Sequence, residues 1–361
     1  MKQKICIIDY DMSVRGGVEQ VTVNLSSELA DDYEVHLISL CQQGDLAYKL
    51  DSRVKYTVLL EREQRLREMR RNSRLLLIDY FRRNGIDVAI IQGNYSGFIV
   101  SSVRGLVRTK LIFCDHGALM NQWDRKDIVA IRLISALLSH KVVTLTKQSR
   151  DAYCKKFHLP SKRVVCIYNW IDPNKMCSTV YATDSHRIVS AGRFGKEKGF
   201  DLLVKAFCPV AKKHPDWHLD LFGDGEMMET VKELISQYGL ENNIHLMGMR
   251  SDLQRHYGDY AMYVLPSYRE GMPLVLLEAK ANKLPIVSFD IMTGPREIVR
   301  NGVDGVLVPP YDVEKMGYVI CELIENPERR KMMSERSYEN LGSFSKNVIL
   351  DQWKALIDTV I

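Results

Sequence analysis

The 361-residue chain lacks every device that would brace it without a hydrophobic core. Its eight cysteines are scattered singly, with no Cys-x-x-Cys and no metal-ligand spacing. Neither a disulfide framework nor a zinc site is indicated, and reduced thiols in a cytosolic setting are expected. No run approaches the roughly 18 apolar residues that span a bilayer. The opening MKQKICIIDYD holds too brief an apolar stretch for a secretory leader and reads as a buried strand, so a soluble chain is expected. Repeats and low-complexity tracts are missing as well. Two nucleotide fingerprints are also absent. No G-x-G-x-x-G follows the first strand, and a P-loop would need glycine at 190 and Ser or Thr at 197, where the chain has Ser190 and Glu197.

What is present is ordinary globular material, 46% hydrophobic and 26% charged, at a length that suggests two domains. The net charge of +5 conceals an asymmetry. Residues 1–168 carry 27 Lys and Arg against 18 Asp and Glu (+9), and the rest carry 23 against 27 (−4). The two halves should therefore face different partners.

Short apolar β-type runs alternate with longer helical stretches. KICIID, YEVHLISL, VKYTVLL, DVAIIQ, TKLIFCDH and KVVTLT read as strands, with helices near 17–30, 63–84, 125–138 and 147–157. After VVCIYNWID the rhythm restarts with HRIVSAGRF, WHLDLFGDG, NIHLMGM, AMYVLP, LPIVSFD and DGVLVPP, and helices fall near 199–213, 226–238, 274–283 and 312–325. Strand-helix alternation of this kind builds parallel, doubly wound sheets. The expected fold is therefore α/β, two tandem Rossmann-like domains facing a central cleft. The first spans 1–168 and binds the acceptor, and the second spans 169–342 and binds the donor. A terminal helix, 343–361, crosses back to the first. The polar stretch 169–184 is the expected linker. Ligands of such sheets sit beyond the carboxyl ends of the strands, so motifs just after strands matter most.

Gly16 and Gly17 follow the first strand and begin a helix, where backbone N–H groups can approach an anion or a sugar. GRFGKEKGFDLL (192–203) puts Arg193 and Lys198 between a strand and a helix start, which suits a diphosphate, although a solvated basic turn looks the same. FGDGE (222–226) is explained by turn and cap chemistry alone. His116 ends a strand on its cleft-facing side, although a lone histidine is more often structural. Glu270 and Glu278 bracket YREGMPLVLLEA. Their spacing carries little, since Glu233/Glu241 and Glu314/Glu322 share it. Their context is unusual: one acid in a Gly/Pro turn after a strand, the other inside an apolar helix. A carboxylate buried there needs donors, and vicinal hydroxyls of a sugar and a ribose supply them.

Taken in order, Gly16-Gly17, His116, IYNWID, GRFGKEKGFDLL, FGDGE, SYREGMPLVLLEA and TGPREIVRNGVDGVLVPP resemble the retaining glycosyltransferases of the GT-B fold, family 4 type, over nearly the full length. The resemblance implies a donor diphosphate held by Arg193 and Lys198. It implies sugar hydroxyls on Glu270, ribose hydroxyls on Glu278, and a sugar–phosphate site lined by Gly271, Met272, Pro273 and Leu274. It further implies a base facing Met249 and Arg250, His116 contacting the donor sugar, and Gly16 and Gly17 closing on the phosphate or acceptor side. Arg193, Lys198, Glu270 and His116 would be the catalytic set, and no cofactor and no metal are expected. The donor would be a nucleotide sugar, most simply UDP-linked, and the acceptor a glycan or lipid-linked saccharide. A sugar-nucleotide 2-epimerase and a non-catalytic nucleotide-sugar binder remain alternatives. EREQRLREMRRNSR (61–74) is either a solvated basic face or a surface for anionic lipid, which would place the protein in the cytoplasm, peripheral on the inner face of the membrane. Aromatics are not interleaved with these cations, so nucleic acid is not expected as a partner.

Overall fold

The computed structural model describes residues 2–171, 181–250 and 252–361, and among them every strand pairing in its two sheets is parallel. The first sheet comprises β1 (Lys4–Asp11), β2 (Glu34–Cys41), β3 (Lys55–Leu60), β4 (Val88–Gln92), β5 (Lys110–Asp115), β6 (Lys141–Thr144) and β7 (Val164–Cys166), in the order β3-β2-β1-β4-β5-β6-β7. Its helices are α1 (Gly17–Leu29), α2 (Leu66–Asn84), α3 (Asn94–Val100), α4 (Lys126–Leu138) and α5 (Lys147–Phe157). The second sheet comprises β8 (Arg187–Ala191), β9 (His218–Phe222), β10 (Ile244–Gly248), β11 (Met262–Leu265), β12 (Ile286–Phe289) and β13 (Gly305–Val308), in the order β10-β9-β8-β11-β12-β13. It is accompanied by α6 (Phe200–Lys213), α7 (Met228–Gln237), α8 (Leu274–Ala281), α9 (Pro295–Ile298), α10 (Val313–Glu325) and α11 (Pro327–Arg336), while the last helix, α12 (Lys346–Asp358), falls with the first unit.

Both sheets grow outward in one direction and then reverse, between β1 and β4 in the first and between β8 and β11 in the second. At such a reversal neighbouring connections leave on opposite faces and open a crevice at the carboxyl edge. Helices on both faces explain why the central strands read as unbroken apolar runs: Ile5, Cys6, Ile7 and Ile8 are all fully buried. Edge strand β3 has no fully buried residue.

Chain contacts divide the molecule into one unit of 1–169 with 347–361 and a second of 170–346. In the first unit Trp353 of α12 is buried and Lys354 pairs with Asp32 at 2.5 Å. Part of the expected linker, 172–180, lies outside the described residues. Three elements were not expected from the pattern, among them the four-residue helix α9. Strand β7 is three residues long, too short for a periodic signal. Helix α3, NYSGFIV, has weak intrinsic propensity and forms because Ser96, Gly97, Ile99 and Val100 are buried. The tail is helical in three pieces, α11, a 3₁₀ stretch Ser337–Phe344 and α12.

Candidate active site

In the second unit the reversal between β8 and β11 is where the chemistry gathers. The loop after β8 forms a 3₁₀ turn, Lys196–Lys198, and Gly199 takes the left-handed conformation at φ +68. A Cβ on Gly199 would stand 2.1 Å from the Pro266 carbonyl oxygen, so only glycine lets this loop lie against the one after β11. The Tyr268 amide donates to the Glu197 carbonyl oxygen at 2.8 Å and closes the same contact. Two loops that are 70 residues apart in sequence are thereby clamped together.

The clamp brings Lys198 Nζ to 2.8 Å from Glu270 Oε1. The Ser267 hydroxyl donates to the same oxygen at 2.7 Å, and Thr293 Oγ1 donates to the Glu270 carbonyl oxygen at 2.6 Å. Glu270 is 8% exposed and the Lys198 side chain 24%. A carboxylate taken this far from water is costly without an ammonium and hydroxyls to meet it. The arrangement therefore stores a cation and an anion side by side at the mouth of the crevice.

Glu278 lies on α8, the helix that the 270–273 turn feeds into. It accepts from Gln254 Nε2 at 3.1 Å. Tyr263 of β11 reaches back to the end of β8. Its hydroxyl accepts from the Ala191 amide at 3.1 Å and donates to the Ala191 carbonyl oxygen at 2.8 Å. Burial pushes this phenol well above its usual range, and the charges of Glu278 and Glu270 push the same way, so both carboxylates lie within electrostatic reach of one buried ring. The other pairs with this spacing behave differently. Glu233, Glu241 and Glu314 are exposed, and Glu322 is ion-paired with Arg329 at the surface.

The remaining residues singled out from the sequence are distributed as follows. Met272 and Pro273 are buried in the turn with Gly271, and Leu274 opens α8, whose positive end meets that turn. Arg193 is 72% exposed and its guanidinium bonds Glu197 at 2.8 Å, one residue from Lys198. Met249 and Arg250 stand exposed on the turn after β10, with Arg250 bonded to Asp252 at 2.7 Å and to His256 at 2.5 Å.

His116, Gly16 and Gly17 belong to the first unit, all at its carboxyl edge. His116 Nε2 lies 2.5 Å from Gln92 Oε1, and burial pulls the imidazole down to about 4, so it is neutral at physiological pH. The loop that carries it is anchored by buried Asp115, which accepts from the Gly117 amide at 3.1 Å and from Tyr153 at 2.7 Å and pairs with Arg132 at 3.0 Å. Gly16 precedes α1 in extended conformation and its carbonyl oxygen accepts from Tyr48 at 3.1 Å; Gly17 is the first helical residue. Asp9-Tyr10-Asp11 is a D-x-D at the end of β1, against the expectation that no such motif stands near a strand end. Asp9 is buried, accepting from Thr22 at 2.6 Å and from the Tyr10 amide at 2.7 Å, and Asp11 accepts from Ser13. Burial above all, with the charges of Glu19 and Asp11, raises Asp9 to about 7. Among the described residues no three His, Cys, Asp or Glu gather as a metal site.

Sequence reasoning missed the supporting residues Ser267, Gln254, Tyr263 and Gln92. Each stands at or beside a strand end or turn already under suspicion, but a Ser, Gln or Tyr there has no signature until its partner is known.

Comparison with known proteins gives a consistent result. The family model "Glycosyl transferases group 1" matches residues 175–340, and that of glycosyltransferase family 4 matches residues 15–175. An uncharacterised glycosyltransferase of Haemophilus influenzae is 26% identical over 360 residues, 98% of this chain and 100% of the relative. The amylovoran biosynthesis glycosyltransferase AmsD of Erwinia amylovora is 26% identical over 367 residues, 98% of this chain and 99% of the relative. A crystal structure of a mutant of S. aureus TarM, in complex with fondaparinux, alpha-GlcNAc-glycerol and UDP, superposes with a TM-score of 0.83 over 99% of this chain and 100% of that one. Its identity is 16%, a likeness of fold.

Proposed function

The chain belongs to the GT-B glycosyltransferases, and from that premise we propose that it moves a hexose or N-acetylhexosamine from a UDP-sugar to a glycan or lipid-linked saccharide. The observation that carries this reading is the Lys198–Glu270 pair at the reversal of the second sheet. A diphosphate draws the ammonium and a sugar hydroxyl replaces it on the carboxylate, so each charge exchanges one partner for another. Arg193, on the same loop, adds a second cation to the departing nucleotide, and α8 adds amides at its positive end. Glu278 takes the ribose. Neutral His116 serves as a hydrogen-bonding group to the donor sugar. Charge on the leaving diphosphate is met by these groups without a metal, and transfer proceeds with retention of configuration. UDP in the TarM complex supports the choice of nucleotide.

The test is a thermal-shift panel of UDP-, GDP- and ADP-sugars, since a ligand that binds only the folded state raises apparent stability by mass action. A selective shift with UDP-sugars is expected. Incubating the selected donor without acceptor then separates transfer from 2-epimerisation: an epimerised nucleotide sugar among the products would overturn the transferase assignment.

For the acceptor side, helix α2 carries Arg67, Arg71 and Arg74 on its exposed surface together with Leu75, which is 75% exposed. A cationic helix face with an uncovered leucine suits an anionic lipid surface and supports a position in the cytoplasm against the inner face of the membrane. No described helix is long and apolar enough to cross a membrane. Flotation with liposomes should depend on anionic lipid; binding indifferent to lipid charge would count against this placement.

A further inference from the structure

Glu278 is a flexible acid given a fixed direction by a residue from elsewhere in the chain. The Gln254 amide donates to Glu278 Oε2 at 3.1 Å, and since a carboxylate can only accept, the orientation of that amide is determined. Gln254 is itself held rigidly. It sits on the 3₁₀ turn Leu253–Asp259, whose Leu253 and Tyr257 are buried. The Tyr257 ring meets Tyr263 edge-on at 6.0 Å and 78°. Tyr263 is in turn tied to the Ala191 backbone at the end of β8. The Tyr257 hydroxyl is buried, has no hydrogen-bond partner among the described residues, and feels the charge of Glu278. The acid is therefore met by a donor on a turn that packs, through Tyr257, against Tyr263.

We propose that Gln254 is a positioning residue that presents the Glu278 carboxylate to the ribose hydroxyls of the nucleotide, and so makes the site select ribonucleoside over 2′-deoxyribonucleoside diphosphates. This rests on the reading of Glu278 as the ribose contact. Fixing the acid before binding removes the loss of side-chain freedom that a mobile glutamate would suffer on meeting the diol. A misdirected carboxylate would still be charged and still folded in place, but its bond to the 2′-hydroxyl would weaken. The effect of losing Gln254 should therefore fall on the ribose hydroxyl and not on the phosphates or the base.

The experiment is calorimetric titration of UDP and 2′-deoxy-UDP into the full-length wild type and three variants, Gln254→Met, Gln254→Ala and Glu278→Gln. Methionine preserves the shape of the side chain without its donor, and unchanged thermal unfolding shows that the turn still packs. Wild type should favour UDP by about tenfold, the order of one charge-assisted hydrogen bond. Gln254→Met and Gln254→Ala should weaken UDP by about tenfold and 2′-deoxy-UDP by less than about twofold, collapsing the preference. Equal weakening of both nucleotides, or none, overturns the role of Gln254. A wild type that does not distinguish the two, with Glu278→Gln binding UDP normally, overturns the ribose reading itself. If a preference is lost in Glu278→Gln yet kept in Gln254→Met, only the positioning role fails.

Discussion

Replacing Gly199 by alanine asks whether the clamp between the two loops sets the site. The structure supplies the magnitudes. At φ +68 an alanine costs about 1–2 kcal/mol for the left-handed conformation alone. Its methyl would also stand 2.1 Å from the Pro266 carbonyl oxygen, where ordinary contact begins at 3.4 Å, so the loops must part by about 1.3 Å. Lys198 is the adjacent residue, and its 2.8 Å bond to Glu270 does not survive a separation of that size. Misplacing a reacting group by about 1 Å costs on the order of 10²-fold in rate. Gly302→Ala is the matched control: φ is +77, but nothing lies within 4 Å of the added carbon. Thermal unfolding should show both variants destabilised by at least ~1 kcal/mol, a few degrees in Tm. Release of nucleoside diphosphate should fall about 100-fold in Gly199→Ala and stay near wild type in Gly302→Ala. Turnover of Gly199→Ala within about threefold of wild type would refute the reasoning, because the predicted displacement costs far more than that.

Glu270→Gln keeps the shape of the side chain but leaves Lys198 without its counter-ion and the sugar without a charged acceptor. Transfer measured by product formation should drop about 10²–10³-fold, with the fold intact by circular dichroism. Lys280→Met should destabilise the second unit by about 3 kcal/mol in urea unfolding, since Asp304 loses a buried cation at 2.6 Å and keeps only Arg300. Two groups give the fold a dependence on pH. Asp9, raised from 3.8 to about 7, favours the folded state fully below pH 3.8 and loses that contribution as pH climbs to about 7; Asp9→Asn should remove this loss and raise Tm at pH 8. His116, lowered from 6.5 to about 4, contributes above pH 6.5 and loses its contribution as pH falls to about 4; His116→Gln should flatten that acid limb.

The architecture was legible because parallel strands covered on both faces print continuous apolar runs, and because most of these runs are followed by a helix. KICIID and DVAIIQ are of this kind, and the structure finds β1 and β4 there. Strand β7 and helix α3 were not legible, since three residues carry no period and α3 is held by burial against its propensity. At the site, the unusual context of Glu270 and Glu278 was visible in the chain, and their surroundings differ from those of the two equally spaced pairs. The pairing of Lys198 with Glu270 was not visible, because it depends on a glycine-mediated contact between residues 199 and 266. Arg193, read as a partner of Lys198 on the diphosphate, bonds Glu197 in the structure, a local i,i+4 contact. Asp9-Tyr10-Asp11 was overlooked as a spacing, and the fold shows why spacing alone is a poor guide: Asp9 turns inward to Thr22.

A crystal structure of the protein with UDP bound tests the central claim most directly. The account predicts the diphosphate within hydrogen-bonding distance of Lys198 Nζ, with Glu270 released from that amine, and a ribose hydroxyl on Glu278. Well-ordered UDP elsewhere in the molecule, with the Lys198–Glu270 bond unbroken, would contradict it.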